Sequence, residues 1–547
     1  MSGYTHPTFP FVRPPDLDGH GRRRAVIVVG AGPVGLTAAL DLARHGIETV
    51  VLDDDDTVSV GSRAICYAKR TLEIWDRLGV AAPMLAHGVT WNEGRVFFRN
   101  DELYRFSLRD EGNQKHPAFI NLQQYHCEET LAAAADAEPA IDLRWKNRVS
   151  GIAPQADGAV LTVDTPDGRY DIACDYVIAA DGARSTVRRL MGLSFAGKVF
   201  EDRFLIADVH MQADFPKERW FWFDPPFNPG QSALLHMQPD GVWRIDLQLG
   251  ADADPERERQ PDRVIPRIKR MLGPDTPFDL LWTSVYTFQC RMLERFRHGR
   301  VLFAGDAAHQ VSPFGARGAN SGVQDVDNLV WKLALVLEGR AADSLLDSYD
   351  TERRLAAREN IMHSTRSTDF ITPKGAMSRT LRDATLSLAR DWPFARALVN
   401  SGRLSRPTCY PTEAPADGPP EARVGAPCPN APLAPRHGTD KRAWLLDHLD
   451  GRFVLLHRPE GTEVPVVPGG IDLLTVGAAD DEAADFADPT GQLDAALALE
   501  PGTTLLIRPD QHIVGRWSRF DTSAIERAYA RAIGGGTQLR PTKAKAS

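Results

Sequence analysis

Close to its N-terminus the chain carries an apolar run, Ala25–Val29, closed by Gly30. A stretch from Val34 to His45 follows with apolar residues at helical spacing, then a second apolar run, Thr49–Leu52. Short apolar runs bounded by turn residues read as buried strands, and the periodic stretch between them as a helix. Strand, helix, strand in this order is the βαβ unit of a doubly wound α/β sheet. From about 199 to 290 the pattern changes. Glu218–Phe223, Ser232–Met237 and Val242–Leu249 are aromatic and apolar, separated by Pro/Gly/Asp turns, and predict antiparallel strands inserted into the first domain.

Val301–Ala304 returns to the buried-strand pattern and leads through a Gly/Pro-rich loop, Ser312 to Gly318, into a helix predicted over Ser321 to Glu338. Val323, Val326, Val330, Leu333 and Leu337 recur at steps of three and four, so one face packs on a core, and Gly339 supplies the stop. Further helices run to about 400. Prolines crowd 405–435, and beyond them lies a smaller α/β unit with strands at Arg452–Leu456 and Thr504–Arg508. The expected division is an N-terminal arm (1–24), a first α/β domain with its following helices (25–198 and 291–404), an inserted sheet (199–290), a linker (405–420) and a C-terminal domain ending in a flexible tail (421–547).

Composition narrows the field. At 547 residues with 43% hydrophobic content, two or three domains with ordinary cores are expected. A net charge of −9 argues against nucleic acid as a partner, because such a chain gains nothing from counterion release. Arg22–Arg24 read as solvated tail residues. The six cysteines, at 66, 127, 174, 290, 409 and 428, include no Cys-x-x-Cys pair, which removes zinc-ribbon and thioredoxin-type redox readings; no metal site is expected. The chain has no apolar run long enough for a signal segment or a membrane span, so a cytoplasmic enzyme with reduced thiols and no membrane partner is the expectation.

The first chemical signal is Gly30-Ala31-Gly32-Pro33-Val34-Gly35, with Asp53 closing the next strand. Gly30 permits the tight turn, Gly32 lets a pyrophosphate approach the backbone, Gly35 lets helix and strand pack closely, and the helix N-terminus faces the phosphates. Asp53 is placed to accept hydrogen bonds from the adenosine ribose, while Asp54–Asp56 read as a solvated loop. A glycine-rich turn in an unrelated α/β fold is the alternative, but the flanking strands and the acid favour dinucleotide binding. Two further strands end in chemistry. One runs Asp175-Tyr176-Val177-Ile178-Ala179-Ala180-Asp181-Gly182. The other runs Gly299-Arg300-Val301-Leu302-Phe303-Ala304-Gly305-Asp306-Ala307-Ala308-His309, with Asp306 at the carboxyl end of the strand, where open α/β sheets bind ligands.

With these three motifs in order over residues 24–400, the chain resembles the class A flavoprotein monooxygenases, the para-hydroxybenzoate hydroxylase-like family. The resemblance implies that FAD occupies the dinucleotide site, so that NADH or NADPH delivers hydride and leaves, and that O2 is the second co-substrate. It places the ADP half of FAD on the glycine loop and Asp53, the ribityl chain on Asp306, and Asp181 near both FAD and the passing nicotinamide. Arg63 and Gln124 match further FAD contacts, with surface or capping roles as the alternative. The equivalents of Gly318, Ala319 and Asn320 sit beside the pyrimidine edge of the flavin, where backbone N–H groups and the helix dipole stabilise negative charge. The equivalent of Pro313 borders the place where oxygen is activated. Hydroxylation through a flavin C4a-hydroperoxide demands an electron-rich ring, which a phenolic or similar small aromatic substrate supplies, and a site closed to water.

The inserted sheet is expected to face that ring, with Trp222, Phe223, His236, Gln238, Arg244, Asp246 and Tyr286 as candidates and Phe314 from the flavin loop beside them. Strand alternation turns about half of the sheet residues inward. Arg244 resembles the family arginine next to the flavin; no residue stands out as the catalytic base. The pieces Val424–Asn430 and Leu505–Asp510 resemble the thioredoxin-like domain of the phenol hydroxylase and 3-(3-hydroxyphenyl)propionate hydroxylase branches, here without the redox cysteine pair, and Phe119–Tyr125 leans toward the propionate branch. A structural or subunit-contact role follows for that domain, and assembly into a homodimer is left open. The rivals are a flavin-dependent halogenase, whose Trp-x-Trp-x-Ile-Pro motif is missing, and a non-redox FAD sensor. The same cofactor chemistry could also serve decarboxylative hydroxylation or Baeyer–Villiger insertion.

Overall fold

The pattern at the N-terminus folds as its periodicity dictates. Arg24–Val29 is a strand with Val26, Ile27 and Val28 fully buried, Pro33–Arg44 is the helix and Thr49–Leu52 the next parallel strand. A computed structural model describes residues 4–61, 63–108, 113–211, 215–250, 252–399, 405–412, 419–436, 442–461, 465–478 and 484–535. The expected C-terminal tail from 536 onward and linker residues 413–418 lie outside the described residues. Two compact units form, one of Met1–Arg109, Pro117–Val326 and Ala356–Arg406, the other of Asp110–His116, Asp327–Leu355 and Pro407–Ser547.

In the first unit the parallel strands Val301–Phe303, Gly168–Ala179, Arg24–Val29, Thr49–Leu52 and Ile141–Arg144 lie side by side in that order. Val301–Phe303, Thr49–Leu52 and the carboxyl-terminal four residues of Arg24–Val29 and Gly168–Ala179 are buried without interruption, as expected of strands covered on both faces, while edge strand Ile141–Arg144 leaves Asp142 exposed. The arm is bound rather than loose. Phe9 stacks on Trp145 with ring centroids 4.3 Å apart, and buried Asp16 pairs with Arg144 at 2.9 Å. Arg24, expected in the solvated tail, instead opens the first strand.

The second sheet of this unit has eight strands and is larger than the insertion predicted over 199–290. Glu93–Phe98 and Asp101–Ser107 extend one edge, Ala196–His210 starts earlier, and His309–Gln310 closes the other edge. Its alternation separates two faces. Leu205, Ala207, Val209, Leu235, Ile245 and Leu247 pack with Val264 and Ile268 of helix Pro261–Leu272, while Phe204, Leu234 and Phe288 pack with Phe314 on the opposite side. A small sheet of Cys66–Ala68, Phe119–Asn121 and Val89–Trp91 completes the unit.

In the second unit Phe453–His457 pairs in parallel with Ile471–Gly477 and antiparallel with Thr504–Ile507, which pairs antiparallel with Ile513–Trp517. Segment 327–355, expected with the first domain, belongs to this unit. Its interior holds an ion network: Arg508 donates to Glu352 at 2.7 Å and to Asp510 at 2.6 Å, and Lys332 donates to Glu352 at 2.8 Å. Burial acts to raise the Glu352 carboxyl, but the Arg508 and Lys332 charges outweigh it and hold it well below the usual carboxylate range; burial pushes Lys332 down to about 8. All six cysteines are free thiols.

Candidate active site

Strand order brings the three motifs together. Gly30, Asp181 and Asp306 each follow the carboxyl end of one of three adjacent parallel strands, and Asp53 follows the fourth. The glycines are required by space. A Cβ on Gly30, whose φ is 105°, would sit 2.6 Å from the Ala180 carbonyl oxygen, and one on Gly35 only 1.9 Å from that of Gly30. A Cβ on Gly32 would meet nothing nearer than Glu128 at 4.0 Å, so the backbone there is open to a phosphate. Pro33 is the first residue of the helix, where its missing N–H costs nothing. Asp53 accepts from the Ala31 N–H at 2.5 Å and from the Asp55 N–H at 2.9 Å, while burial pushes its pKa up to about 6. It therefore braces the glycine loop at the carboxyl end of its strand.

Gln124 and Arg63 belong to one arrangement. The Gln124 carbonyl oxygen takes the Ala64 N–H at 3.0 Å and its amide donates to Glu128 at 2.7 Å; Glu128 also takes the Ser59 N–H at 2.6 Å. These bonds fix the segment bearing Arg63, whose exposed guanidinium acts electrostatically on Asp306 and Tyr286. Asp181 takes the Val187 N–H at 2.9 Å through one oxygen; its other oxygen, Oδ1, is buried with no hydrogen-bond partner. Burial raises the pKa of both Asp181 and Asp306.

The long helix runs Gly318–Leu337, starting three residues before the predicted Ser321. Gly318, Ala319 and Asn320 are thus its first turn, where backbone N–H groups lack intrahelical acceptors. Gly322 allows it to seat closely, since a Cβ there would lie 2.6 Å from Val34 and 3.0 Å from the Gly305 Cα. Fully buried Asp325 takes the Gly305 N–H at 3.0 Å and a His309 ring nitrogen at 2.6 Å, clamping the turn that carries Asp306. The Asn320 side chain is committed to the protein. Its oxygen accepts from the Ala68 N–H and the Thr71 hydroxyl, and its amide donates to the Cys66 and Ala316 carbonyls. Only its backbone can face a flavin. Pro313 is exposed, and Ala316 adopts a left-handed φ of 52° in the turn before the helix. Phe314 is buried edge-on against Phe204 and Phe288, so it anchors the loop on the sheet rather than standing free as a substrate contact.

Register decides the sheet candidates. Asp208, Arg244 and His236 lie directly opposite one another on three neighbouring strands, with Asp246 two residues along from Arg244 and Tyr286 opposite Phe204 on the same face. Trp222 opposes Ala233 and packs with the Leu235–Trp243 cluster, so period-two alternation places it on the far face; it is withdrawn as a ring contact. Phe223 shares the near face but is buried in the Phe204–Leu234 cluster. Arg244 grips Asp208 through two bonds, 2.9 and 3.1 Å, and Gln238 donates to Asp208 at 3.2 Å. His236 lies 3.5 Å from Asp246, and burial pushes its imidazole down to about 4, so it is neutral at pH 7. His236 Nδ1, Gln238 Oε1 and Asp246 Oδ1 are buried without hydrogen-bond partners. Asn121 ties this face to the helix start: its amide donates to the Met237 carbonyl, and its oxygen accepts from Trp91 and from Cys66, whose carbonyl accepts from Asn320.

Glu128, Asp208, Asp325 and Asn121 were not singled out from the sequence. Glu128 follows Gln124 by one helical turn, a spacing that could have flagged it; the other three acquire meaning only from register and packing.

The glycine loop, Asp53 and Asp306 at strand ends and the helix start define a flavin-binding oxidoreductase of the doubly wound class, and the open Gly32 backbone with the unpartnered Asp181 oxygen fits FAD. The chain belongs to the FAD binding domain family, which it matches over residues 23–364. It is 31% identical to a 3-(3-hydroxyphenyl)propionate/3-hydroxycinnamic acid hydroxylase of Mycolicibacterium smegmatis, over 68% of this chain and 66% of that one. To 6-methylpretetramide 4-monooxygenase of Streptomyces rimosus it is also 31% identical, over 94% and 93%. A flavin-dependent monooxygenase solved with FAD and substrate shares the fold, with a TM-score of 0.76 at 24% identity over 94% of this chain and 99% of that one. The protein is an FAD-dependent monooxygenase of the aromatic hydroxylase group.

Proposed function

We propose that this is a single-component hydroxylase that takes reducing equivalents from NADH or NADPH and adds one oxygen atom of O2 to a phenolic or similarly activated small aromatic substrate. The observation that carries the reading is the single network linking the start of helix Gly318–Leu337, through Asn320, Cys66 and Asn121, to the sheet face bearing Arg244, His236, Gln238 and Asp246. When bound, FAD supplies hydride acceptance and oxygen activation.

The chain's own residues do the rest. The N–H groups of Gly318, Ala319 and Asn320 stabilise negative charge at the helix start, where the dipole adds to them. Asp306, with Arg63 facing it, takes the ribityl hydroxyls, and Pro313 lines the approach to the oxygen-reacting edge. The Arg244–Asp208 pair holds a fixed, buried positive charge on the sheet face, positioning the substrate side of the site without giving up a proton. Neutral His236, with Gln238 and Asp246, offers a donor and acceptors to ring substituents, and Tyr286 borders the same face. Placement in the cytoplasm accords with six free thiols. The mixed sheet of the second unit, one parallel pair followed by two antiparallel ones, supports reading it as a thioredoxin-like domain, and without a Cys-x-x-Cys pair we assign it a structural role.

The test is direct. The FAD-loaded protein is mixed with NADH or NADPH and a panel of phenolic acids that includes 3-(3-hydroxyphenyl)propionate, and flavin bleaching and ¹⁸O incorporation from ¹⁸O₂ are followed. Accelerated bleaching with one labelled oxygen in the product is expected. Oxidation of the nicotinamide without label in any product would point to an oxidase or a sensor instead. Arg244→Ala is expected to keep FAD and slow its reduction; unchanged kinetics would remove Arg244 from the site.

A further inference from the structure

Away from the flavin cradle, three side chains widely separated in sequence meet at one point. Nε2 of His87 and Nε2 of His126 each lie 3.3 Å from the same oxygen, Oδ2 of Asp240. The imidazoles meet edge-to-face with centroids 4.5 Å apart, and one ligand-capable atom of each residue lies within 4.8 Å of the other two. Two nitrogen or oxygen ligands held about 2.1 Å from a common tetrahedral ion are roughly 3.4 Å apart, and both pairs have that spacing. We propose that His87, His126 and Asp240 form a binding site for a borderline divalent transition-metal ion such as Zn²⁺, three protein ligands leaving the fourth position to water.

The surroundings support a built site. His87 ends helix Ala81–His87, His126 stands in the first turn of helix Gln124–Asp136, and Asp240 occupies the turn between strands Ser232–Met237 and Val242–Leu249. That turn is fixed. Asp240 and Gly241 have φ of 61° and 68°, the Gln238 N–H donates to the Val242 carbonyl at 2.8 Å, and the Gln123 amide donates to the Pro239 carbonyl at 3.3 Å. On the outer side of His126, Glu129 lies 3.9 Å from Nδ1 and accepts from the Tyr4 hydroxyl at 2.9 Å. A carboxylate beside the second ring nitrogen is the usual means of orienting a metal-bound imidazole. A cavity of about 600 Å³, lined in part by His87, His126, Glu129 and Thr130, gives a hydrated ion access. Three ligands on three elements make the ion a staple. It would fasten the hairpin that carries His236 and Arg244 to the two helices of the FAD-binding half, without entering the flavin chemistry. No metal-ligand spacing is visible along the chain, because the ligands become adjacent only after the sheet packs on the helices.

Calorimetric titration of tag-free, FAD-loaded, chelator-treated protein with Zn²⁺ tests this, with Co²⁺ absorption at wavelengths beyond the flavin band as a second readout. One equivalent per chain is expected, with affinity falling more than about 100-fold in His87→Ala and in Asp240→Asn and holding in His20→Ala, a control at an exposed histidine. His87 and Asp240 are exposed, so both variants are expected to retain FAD and fold. Absence of saturable Zn²⁺ uptake by the unmodified protein would overturn the assignment, as would undiminished uptake in the two ligand variants.

Discussion

The Arg244–Asp208 pair allows an asymmetric prediction. Their side chains are 3% and 7% exposed and joined by two hydrogen bonds. Asp208→Leu strands a guanidinium that cannot lose its proton, and breaking a buried pair in this way costs about 3–5 kcal/mol. Asp246, whose charge also acts on Arg244, recovers part of that, which favours the lower end. Arg244→Met leaves a carboxyl whose pKa burial already raises, and it can take a proton and become neutral, so the cost is smaller, about 1–3 kcal/mol. Replacing both together removes two desolvated charges at once and should cost less than Asp208→Leu alone. Thermal release of flavin, followed by fluorescence, reads the difference. A fall of roughly 6 °C or more is expected for Asp208→Leu, a smaller fall for Arg244→Met that grows with pH, and partial recovery in the double variant. Equal falls for the two single variants, or a double variant showing their sum, would refute the reasoning.

Asp306→Ala is expected to purify largely without flavin, and a normal FAD-to-protein ratio would remove it from the ribityl position. Gly35→Ala places a Cβ 1.9 Å from the Gly30 carbonyl oxygen, so the helix must move off the strand and FAD affinity should fall at least about tenfold; titration with FAD measures it. His236 takes a proton near pH 4 in the folded protein and near 6.5 in the unfolded chain. The unfolded state therefore binds more protons between these values, and stability is lost as pH falls through that window, by up to about 3 kcal/mol. Urea midpoints from pH 4 to 7 should show a flatter dependence in His236→Gln than in the unmodified protein; identical slopes would show that another group carries the loss.

The cofactor half of the protein was largely legible in the sequence, since it depends on local steric needs. Gly30, Gly32 and Gly35 answer to backbone geometry within one turn, and Asp53 and Asp306 to the fact that strands deliver their next residue to the carboxyl edge. Apolar runs and helical spacing located the strands and the long helix to within a few residues. The helix start was missed because Gly318 carries no side-chain capping signal, and the sheet was drawn too small because Glu93–Ser107 joins it from far upstream.

Sequence alone marked a dinucleotide site, for its motifs are contiguous and their physics is short-range, and FAD with its hydroxylation chemistry came from the family resemblance those motifs carry. Tertiary structure decided which sheet residues share a face. A strand exposes alternate residues to opposite faces, and only pairing fixes which: it set Arg244 against Asp208, turned Trp222 away, committed the Asn320 side chain to Cys66 and Ala68, and gathered His87, His126 and Asp240 at one point. Those contacts join segments far apart along the chain, where no local pattern encodes the distance between two side chains.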